Sequence, residues 1–327
     1  MNQLFRWDQT GLFLLALAAG ILPFAVPEVC AAALREGLTL CSGPLLLSLF
    51  PFLVVSRLLI QCPESDLLAL PFRLAAWGIG IRTPCAARVL CIGFLGGFAP
   101  AASAAAQAVR TGQLTAEEAD ALLPACICSG PSFVVLTVGQ SLLGSAELGV
   151  LLFASQITAN YLTAALLNRF AGVRSVKPGS AAPASPAPPR LDEILADAAI
   201  TYCKLCGFIL FFRMLAAGAG ALLPADAGTL CSILLEVCSG CDLASRTGRW
   251  GSLLCCAALS VQGLSVLLQV RTICPPEMTL RPLYRARMLH LPLSLALFYL
   301  LLPGGEADVF STLPARVLLM RRVPPDC

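Results

Sequence analysis

Apolar residues dominate long continuous stretches of this chain, and most of these stretches have the length of a membrane-spanning helix. A transmembrane helix needs about 20 predominantly apolar residues to cross the hydrocarbon core of a bilayer. The stretches lie near residues 10–27, 39–60, 86–109, 123–143, 147–168, 203–223, 228–244, 251–270 and 288–303. Several contain Gly, Pro or Ser pairs, so the pattern predicts an all-α polytopic membrane protein with roughly seven to nine segments, some broken or re-entrant.

Two polar interruptions of these stretches share one pattern, a polar residue followed by Gly, any residue and Ser. The run SGPS at 129–132 precedes an apolar run in the first half of the chain, and QGLS at 262–265 precedes one in the second half. Gly and Pro free the backbone from helical geometry, and we expect the serine hydroxyls to bond the N–H groups opened at each new helix start. Helix breaks in corresponding positions of two halves are typical of a transporter's substrate site, so the pattern predicts a transporter.

One segment is typical of a linker. The run from 175 to 190 is rich in Pro, Ala and Ser and has no apolar periodicity, which predicts an extended surface segment. We therefore divide the chain into an N-terminal membrane half at 1–170, a flexible linker at 171–190 and a C-terminal membrane half at 191–327. Residues 191–200 repeat apolar positions at helical spacing and predict an amphipathic lead-in at the membrane interface.

Composition and charge agree with a membrane protein and add one detail. Hydrophobic residues make up 57% of the chain and charged residues only 13%, about half of the share in soluble domains. Basic residues cluster at 57–88, 169–190 and 271–287, and the positive-inside rule places all three groups in the cytoplasm. Three apolar stretches separate each neighbouring pair of groups, and an odd number of crossings contradicts that placement. The conflict favours a re-entrant hairpin in each half.

Polar clusters inside the apolar stretches supply the candidate site. Glu236 lies within an apolar run, where an ionisable residue is by default functional, and we assign it as a coupling-ion candidate. The alternative for Glu236 is an interfacial acid at a segment end, and for the other clusters it is helix kinks or small-residue packing. The candidate substrate-binding residues are Gly97, Ser103, Ser129, Gly130, Pro131, Ser132, Ser239, Gly240, Gln262, Gly263 and Ser265.

The chain contains no recognisable enzyme motif, and we predict no catalytic residue, cofactor or metal site. His290 is the only histidine, and we expect it at the membrane interface. The 16 cysteines lie mostly in apolar stretches and predict packing, because Cys there behaves as a small hydrophobe. Two Cys-x-x-Cys pairs, at 203–206 and 238–241, keep a membrane thiol oxidoreductase open as an alternative.

Two further polar motifs are given structural roles. Thr115 and Glu118 form the pattern of a capping box, which predicts a helix start in a solvated acidic connector. Gln156 and Asn160 lie four residues apart on one helical face, which predicts hydrogen bonds between helices.

Several of these stretches together resemble the nucleoside-recognition (Gate) domain family, and within it the sporulation integral membrane protein branch. The matching stretches are 93–98 with the Ala-rich run that follows, 114–119 leading to 129–131 and 138–139, the acid at 235–236, 263–266 with 269–270, and 285–290. They span most of residues 45–300 in family order and spacing. The chain departs from the family pattern at 97–103, where a basic residue is missing, at 127–128, which lack paired amides, and at Leu267.

The resemblance implies a helical membrane protein related to concentrative nucleoside transporters, with one repeat of hairpin plus broken helix in each half. It implies a role in sporulation, namely transport of dipicolinic acid, a small aromatic dianion, across the outer forespore membrane. The departures keep a non-transporting assembly factor in spore maturation open, and a nucleoside-type transporter is a further alternative. The expected partners are a small-molecule solute and the lipid bilayer, without nucleic acid, and a homo-oligomer stays open.

Overall fold

The computed structural model describes residues 9–61, 66–172 and 190–302, and every regular element in these ranges is helical. The all-α class is therefore confirmed for the described part of the chain. The predicted linker falls mainly on residues 173–189, which lie outside the described residues.

Most of the helices are short. The α-helices are α1 (Gln9–Ala25), α2 (Pro27–Ser42), α3 (Pro44–Gln61), α4 (Leu70–Gly78), α5 (Pro84–Gly96), α6 (Phe98–Arg110), α7 (Ala116–Cys126), α8 (Ala146–Ala171), α9 (Leu191–Leu222), α10 (Ala225–Leu235), α11 (Val237–Ser245), α12 (Gly251–Val261), α13 (Gly263–Ile273) and α14 (Arg281–Leu301). A π-helix, Ser132–Leu142, lies between α7 and α8. Several predicted apolar stretches are thus divided into two helices.

Four helical segments in the described residues are long and apolar enough to cross a membrane. They are Pro27–Leu47, Ala146–Ala171, Leu191–Leu222 and Gly248–Ile273. Most of the other predicted stretches hold apolar helices of 10–17 residues, and the last lies within α14. Large side chains such as Phe24 and Phe170 are more than 80% exposed, as lipid-facing residues of a membrane protein would be.

Local sequence signals set several helix ends. The predicted capping box at the start of α7 is confirmed, with Thr115 accepting from the Glu118 N–H and Glu118 accepting from the Thr115 N–H. Ser145 caps α8 through the Leu148 N–H, and α8 ends at Gly172 in the left-handed conformation. These caps satisfy N–H and carbonyl groups that a helix end otherwise leaves unpaired.

α5 and α6 fold back on each other as a hairpin, called hairpin 1, whose tip is Gly97. The Arg88 guanidinium, near the start of α5, donates to the Gln113 side-chain oxygen just after α6 at 2.9 Å. In a straight helix these residues would lie about 37 Å apart, so the chain reverses direction between them. Arg88 also donates to the Ile60 carbonyl at 2.8 Å, which places the open end of hairpin 1 beside the end of α3.

α10 and α11 form hairpin 2, with its tip at Glu236. A β-carbon on Gly240 would lie 2.8 Å from the Ile233 α-carbon, although residues seven apart in a straight helix are separated by about 10 Å. Leu243 of α11 lies beside Gly220, near the end of α9. Hairpin 2 therefore opens at the C-terminal end of α9.

The two hairpins open at opposite ends of the molecule. An ion pair of 2.6 Å between Arg57 and Asp197 ties the end of α3, and with it the open end of hairpin 1, to the N-terminal part of α9. Since α9 has 32 residues and is about 48 Å long, its two ends are far apart. The tips at Gly97 and Glu236 consequently point toward the middle of the molecule from opposite sides.

Two interrupted helices complete the centre, and both predicted breaks are present. Residues 127–131 separate α7 from the π-helix, and Gln262 alone separates α12 from α13. The π-helix then packs closely on α8, where a β-carbon on Gly139 would lie 2.5 Å from the Gly149 α-carbon. α8 and α14 flank the two interrupted helices and carry the polar side chains that join them.

Candidate functional site

The tip of hairpin 1 lies directly against the first interruption. Gly97 has φ +80°, and a β-carbon there would lie 2.6 Å from the Gly130 nitrogen. Such a separation is far shorter than any real van der Waals contact, and positive φ is strained for side chains other than glycine. Glycine is therefore required at 97, and it brings the break in the hairpin and the break at 129–132 together.

The tip of hairpin 2 meets the second interruption in the same manner. Gly263 has φ +69°, and a β-carbon there would lie 2.9 Å from the Glu236 nitrogen. Gln262 precedes it in the left-handed conformation with φ 63°, an uncommon conformation for a residue with a side chain. The predicted site residues of both halves thus lie at two close backbone crossings.

One carbonyl joins the two crossings. The Ile127 oxygen, at the end of α7, accepts from the Gln262 amide at 3.3 Å, the Asn160 amide at 3.5 Å and the Arg287 guanidinium at 3.0 Å. Arg287 also donates to the Ser260 carbonyl at 3.3 Å, near the end of α12. A cation favours the negative end of a helix, so Arg287 stabilises the ends of α7 and α12 together.

Arg287 is a residue that the sequence analysis missed. It was counted with the basic loop at 271–287, but it lies inside α14 and is 7% exposed. No carboxylate pairs with it in the part of the chain that the structure describes. Its position six residues after the helix start, among apolar neighbours, was the available signal.

Glu236 is a helix cap in the centre of the molecule. It is 1% exposed and lies at the junction between α10 and α11. One carboxylate oxygen accepts from the Cys238 N–H at 2.8 Å, and the other accepts from the Ser239 N–H at 2.7 Å and the Ser239 hydroxyl at 2.9 Å. A carboxylate at a helix N-terminus is stabilised by these N–H groups and by the helix dipole.

A small cavity lies between the two crossings. It has a volume of about 50 Å³, room for a few water molecules. Ser129, Gly130, Ser132 and Glu236 line it, and the first residues of α6, the π-helix and α11 contribute to its wall. The N-terminal ends of three half-helices therefore face one cavity.

The other predicted site residues surround this cavity without lining it. Gln262 is fully buried and bonds Ile127, while Gly240 packs on Ile233. Ser239 binds Glu236, Pro131 is the residue before the π-helix, and Ser265 accepts from the Gln269 amide at 2.8 Å. Ser103, in α6, is fully buried, and its hydroxyl has no hydrogen-bond partner among the described residues.

The expected hydroxyl caps at the two interruptions are not formed. Neither Ser132 at the π-helix nor Ser265 at α13 caps the N–H groups of its helix start. In the second half the Ser265 hydroxyl accepts from the Gln269 amide instead, and in the first half the tip of hairpin 1 packs against Gly130. Gln269 also lines the cavity and was missed as a site residue, although its spacing of four from Ser265 places both on one helix face.

Further polar residues connect the helices around the site. The prediction of interhelical hydrogen bonds for Gln156 is confirmed, because its amide donates to Ser260 at 3.0 Å and to Ser294 at 2.7 Å. The expected interfacial position of His290 is wrong, since it is fully buried and its Nε2 lies 3.2 Å from the Gln156 carbonyl. The prediction for Asn160 is also confirmed, through its bond to Ile127.

Two acids of the predicted solvated connector are buried, whereas Glu117 is exposed. Glu118 is 3% and Asp120 6% exposed. Asp120 accepts from the N–H groups of Thr279 at 2.8 Å and Leu280 at 3.1 Å, just before α14. The acid thus holds the start of α14, which carries Arg287 into the centre.

Similarity to known proteins adds no assignment to this geometry. Comparisons of the chain with protein-family models, with curated proteins and with solved structures find no match. Over the described ranges, no group of three or more His, Cys, Asp and Glu side chains is placed to hold a metal ion.

Proposed function

We propose that this chain is a membrane transporter of a small anionic solute, which binds between the two helix crossings. The observation that carries the proposal is the convergence of four helix interruptions, at Gly97, 127–131, Glu236 and Gln262, around one cavity. Non-helical backbone at membrane depth is tolerated where it is buried in protein or lines a cavity. Discontinuous helices that meet near the middle of a membrane protein are the usual substrate site of secondary transporters.

A two-repeat architecture is part of this proposal. The order of hairpin, interrupted helix and long helix occurs at α5–α8 and again at α10–α14. The hairpins open at opposite ends of the molecule, which supports repeats of inverted topology. In the membrane each hairpin would be re-entrant, in agreement with the conflict between the basic segments and the positive-inside rule.

The half-helix ends support an anion as the solute. Free N–H groups and the helix dipole make a helix N-terminus favourable for carboxylates and phosphates. The start of the π-helix has no side-chain cap, and Ser129, Gly130 and Ser132 beside it line the cavity. Glu236 neutralises the start of α11 and is the proposed partner of a coupling cation.

The finer identification follows from the sequence resemblance. We propose dipicolinic acid as the solute and the outer forespore membrane of a sporulating bacterium as the location. A dianion with two carboxylates on one ring suits two helix starts facing the same space. The cavity of about 50 Å³ must widen before it can hold such a solute, which implies movement of a hairpin against its interrupted helix.

Uptake into vesicles tests this function. The purified chain is placed in proteoliposomes, and entry of dipicolinic acid is measured for the unaltered protein, Gly130→Leu and Gly207→Leu. We expect uptake by the unaltered protein and by Gly207→Leu, because a β-carbon at 207 meets nothing within 4 Å, and loss of uptake in Gly130→Leu, which would overlap Gly96. Absence of uptake by correctly inserted protein would favour the assembly-factor alternative.

A sporulating host tests the finer assignment. The chain is expressed in a strain lacking its own family member, and dipicolinic acid is measured in the spores. Restored content that Gly130→Leu and Ser265→Leu both lose would support transport through the paired breaks. Uptake in vesicles without restoration in spores would indicate another anionic solute.

A further inference from the structure

A second and larger cavity lies at the end of the molecule where hairpin 1 opens. It has a volume of about 240 Å³ and lies between α3, α6, α9 and α13. Arg57, Arg110 and Lys204 line it together with one acid, Asp197. Three cations against one carboxylate give this cavity, which we call the antechamber, a net charge of about +2 before any ligand enters.

Asp197 and its ion-pair partner Arg57 differ in their exposure to solvent. Arg57 forms an ion pair of 2.6 Å with Asp197, yet the Arg57 side chain is 9% exposed and that of Asp197 is 61% exposed. The Arg57 Nε is buried and has no hydrogen-bond partner in the described ranges. A buried guanidinium is thus balanced by a carboxylate that can move into solvent, whereas an anion inside the antechamber could satisfy Arg57 with two parallel bonds.

The antechamber adjoins the central cavity through one side chain. Gln269 lines both cavities, and its carbonyl oxygen is buried without a hydrogen-bond partner in the part of the chain described. α6 and α13 both run from the helix interruptions toward the antechamber, where Arg110 ends α6 and Thr272 lies near the end of α13. A solute leaving the antechamber past Gln269 therefore reaches the crossing of Glu236 and Gly263.

The wall of the antechamber limits the class of ligand. Phe208 and Ile273 contribute apolar surface beside the three cations. Inorganic anions have no apolar part to place there, and a neutral solute leaves the positive charge unbalanced. A small organic dicarboxylate with an apolar body matches both parts of the wall.

We propose that the antechamber is an entry site that binds a small organic dianion, with Arg57, Arg110 and Lys204 as its cationic ligands and Asp197 as an internal competitor. The inference rests on the proposed function, since the bound anion would pass Gln269 to the helix crossings. Asp197 occupies Arg57 when the site is empty and is displaced into solvent when the solute binds. A soluble anion rather than a lipid headgroup is the assigned occupant, because the antechamber adjoins the buried centre.

Equilibrium binding tests the antechamber separately from transport. The full chain is purified in an uncharged maltoside detergent, and binding of pyridine-2,6-dicarboxylate is measured for four variants. Arg110→Gln and Lys204→Gln, both at exposed positions, should each weaken binding by about 5- to 10-fold, and Asp197→Asn should strengthen it by about 3- to 10-fold. Arg246→Gln is the matched control, because Arg246 pairs with Asp242 on hairpin 2 and lies outside the antechamber, and it should bind like the unaltered protein.

Three results would overturn the assignment. The first is equal affinity in Arg110→Gln, Lys204→Gln and the control, and the second is weaker binding in Asp197→Asn. The third is loss of binding in nanodiscs when phosphatidylcholine is replaced by phosphatidylglycerol. That third result would assign the antechamber to a lipid headgroup. Uptake by the unaltered protein separates the two proposals. Binding that depends on Arg110 without any uptake by the unaltered protein would reject transport and keep the anion site.

Discussion

The two hairpin tips meet their interrupted helices with the same geometry but with different chemistry. At hairpin 1, Gly97 contacts Gly130 backbone to backbone, and the π-helix that follows starts without a side-chain cap. At hairpin 2, Gly263 contacts Glu236, whose carboxylate caps α11. Because a helix start carries about half a positive charge, the second crossing is neutralised internally and the first is left available to an external anion.

This difference shows that close packing and electrostatics are separate requirements of the site. Both crossings need a glycine with positive φ, because any side chain would overlap the facing backbone. Only hairpin 2 carries an acid. The proposed roles follow from this asymmetry, with the solute anion at the first crossing and a cation at Glu236.

The largest effect is expected from a methyl group at the tip of hairpin 1. Gly97→Ala combines positive φ with a β-carbon 2.6 Å from the Gly130 nitrogen, and it should lower the free energy of unfolding by about 3–5 kcal/mol. Gly263→Ala, with its contact at 2.9 Å, should cost less. Thermal unfolding in detergent measures both.

Gly207→Ala is the control for these variants, since it has open space and lies inside α9. It should be neutral or stabilising by about 0.5–1 kcal/mol, because alanine is a better helix former than glycine. Equal stability of Gly97→Ala and Gly207→Ala would contradict the close crossing.

The next largest loss of stability is expected at Arg287, the side chain that joins the two crossings. Arg287→Lys keeps the charge but replaces a planar fork with one ammonium group, which cannot reach the Ile127 and Ser260 carbonyls as Arg287 does. The loss of one or two hydrogen bonds to a charged donor should destabilise the protein by about 2–3 kcal/mol in detergent. Arg285 is exposed, so Arg285→Lys serves as the control. Equally small losses of stability in both variants would contradict the role of Arg287 in joining the two crossings.

Glu236 carries the charge that distinguishes the second crossing from the first. Glu236→Gln keeps one acceptor for the start of α11 and removes the charge, so stability should fall by only about 1 kcal/mol. Uptake into proteoliposomes should lose its dependence on the coupling cation, because the proposed cation partner is gone. Cation dependence that persists in this variant would limit Glu236 to its capping role.

The smallest effects distinguish the two serines of the repeated motif. Ser265→Ala removes the acceptor of the Gln269 amide and should cost about 1 kcal/mol, because that amide is then left buried and unpaired. Ser132→Ala changes an exposed side chain that caps nothing and should stay within about 0.5 kcal/mol of the unaltered protein. Equal losses of unfolding free energy in both variants, measured by chemical unfolding, would show that the two serines contribute equally to stability.

Several parts of the fold were readable in the sequence because their causes are local. The capping box at Thr115 and Glu118 needs only residues three apart, and the breaks at 129–132 and at Gln262 need only Gly, Pro and polar residues in an apolar run. The pairing of Gln156 with neighbouring helices follows from an amide within a long apolar helix, where other helices supply the hydrogen-bond partners.

Other residues were misjudged because their surroundings come from distant parts of the chain. His290 and Arg287 lie near the start of an apolar stretch and were placed at an interface or loop, yet α14 carries both into the centre. Asp120 looks like a solvated acid until Thr279 and Leu280 are brought to it. The expected serine cap at α13 was wrong because the Ser265 hydroxyl accepts from the Gln269 amide one turn later.

The sequence by itself determined that this is an all-helical, membrane-type chain with polar breaks, since apolar length and Gly, Pro and Ser positions act through local backbone physics. Only the tertiary structure decided that the breaks at Gly97 and Glu236 turn the chain back as hairpins. It also decided that each tip meets a glycine of an interrupted helix, and that Arg287 joins the two crossings. These contacts depend on backbone approaching backbone across more than 25 residues of chain, which no short-range pattern specifies.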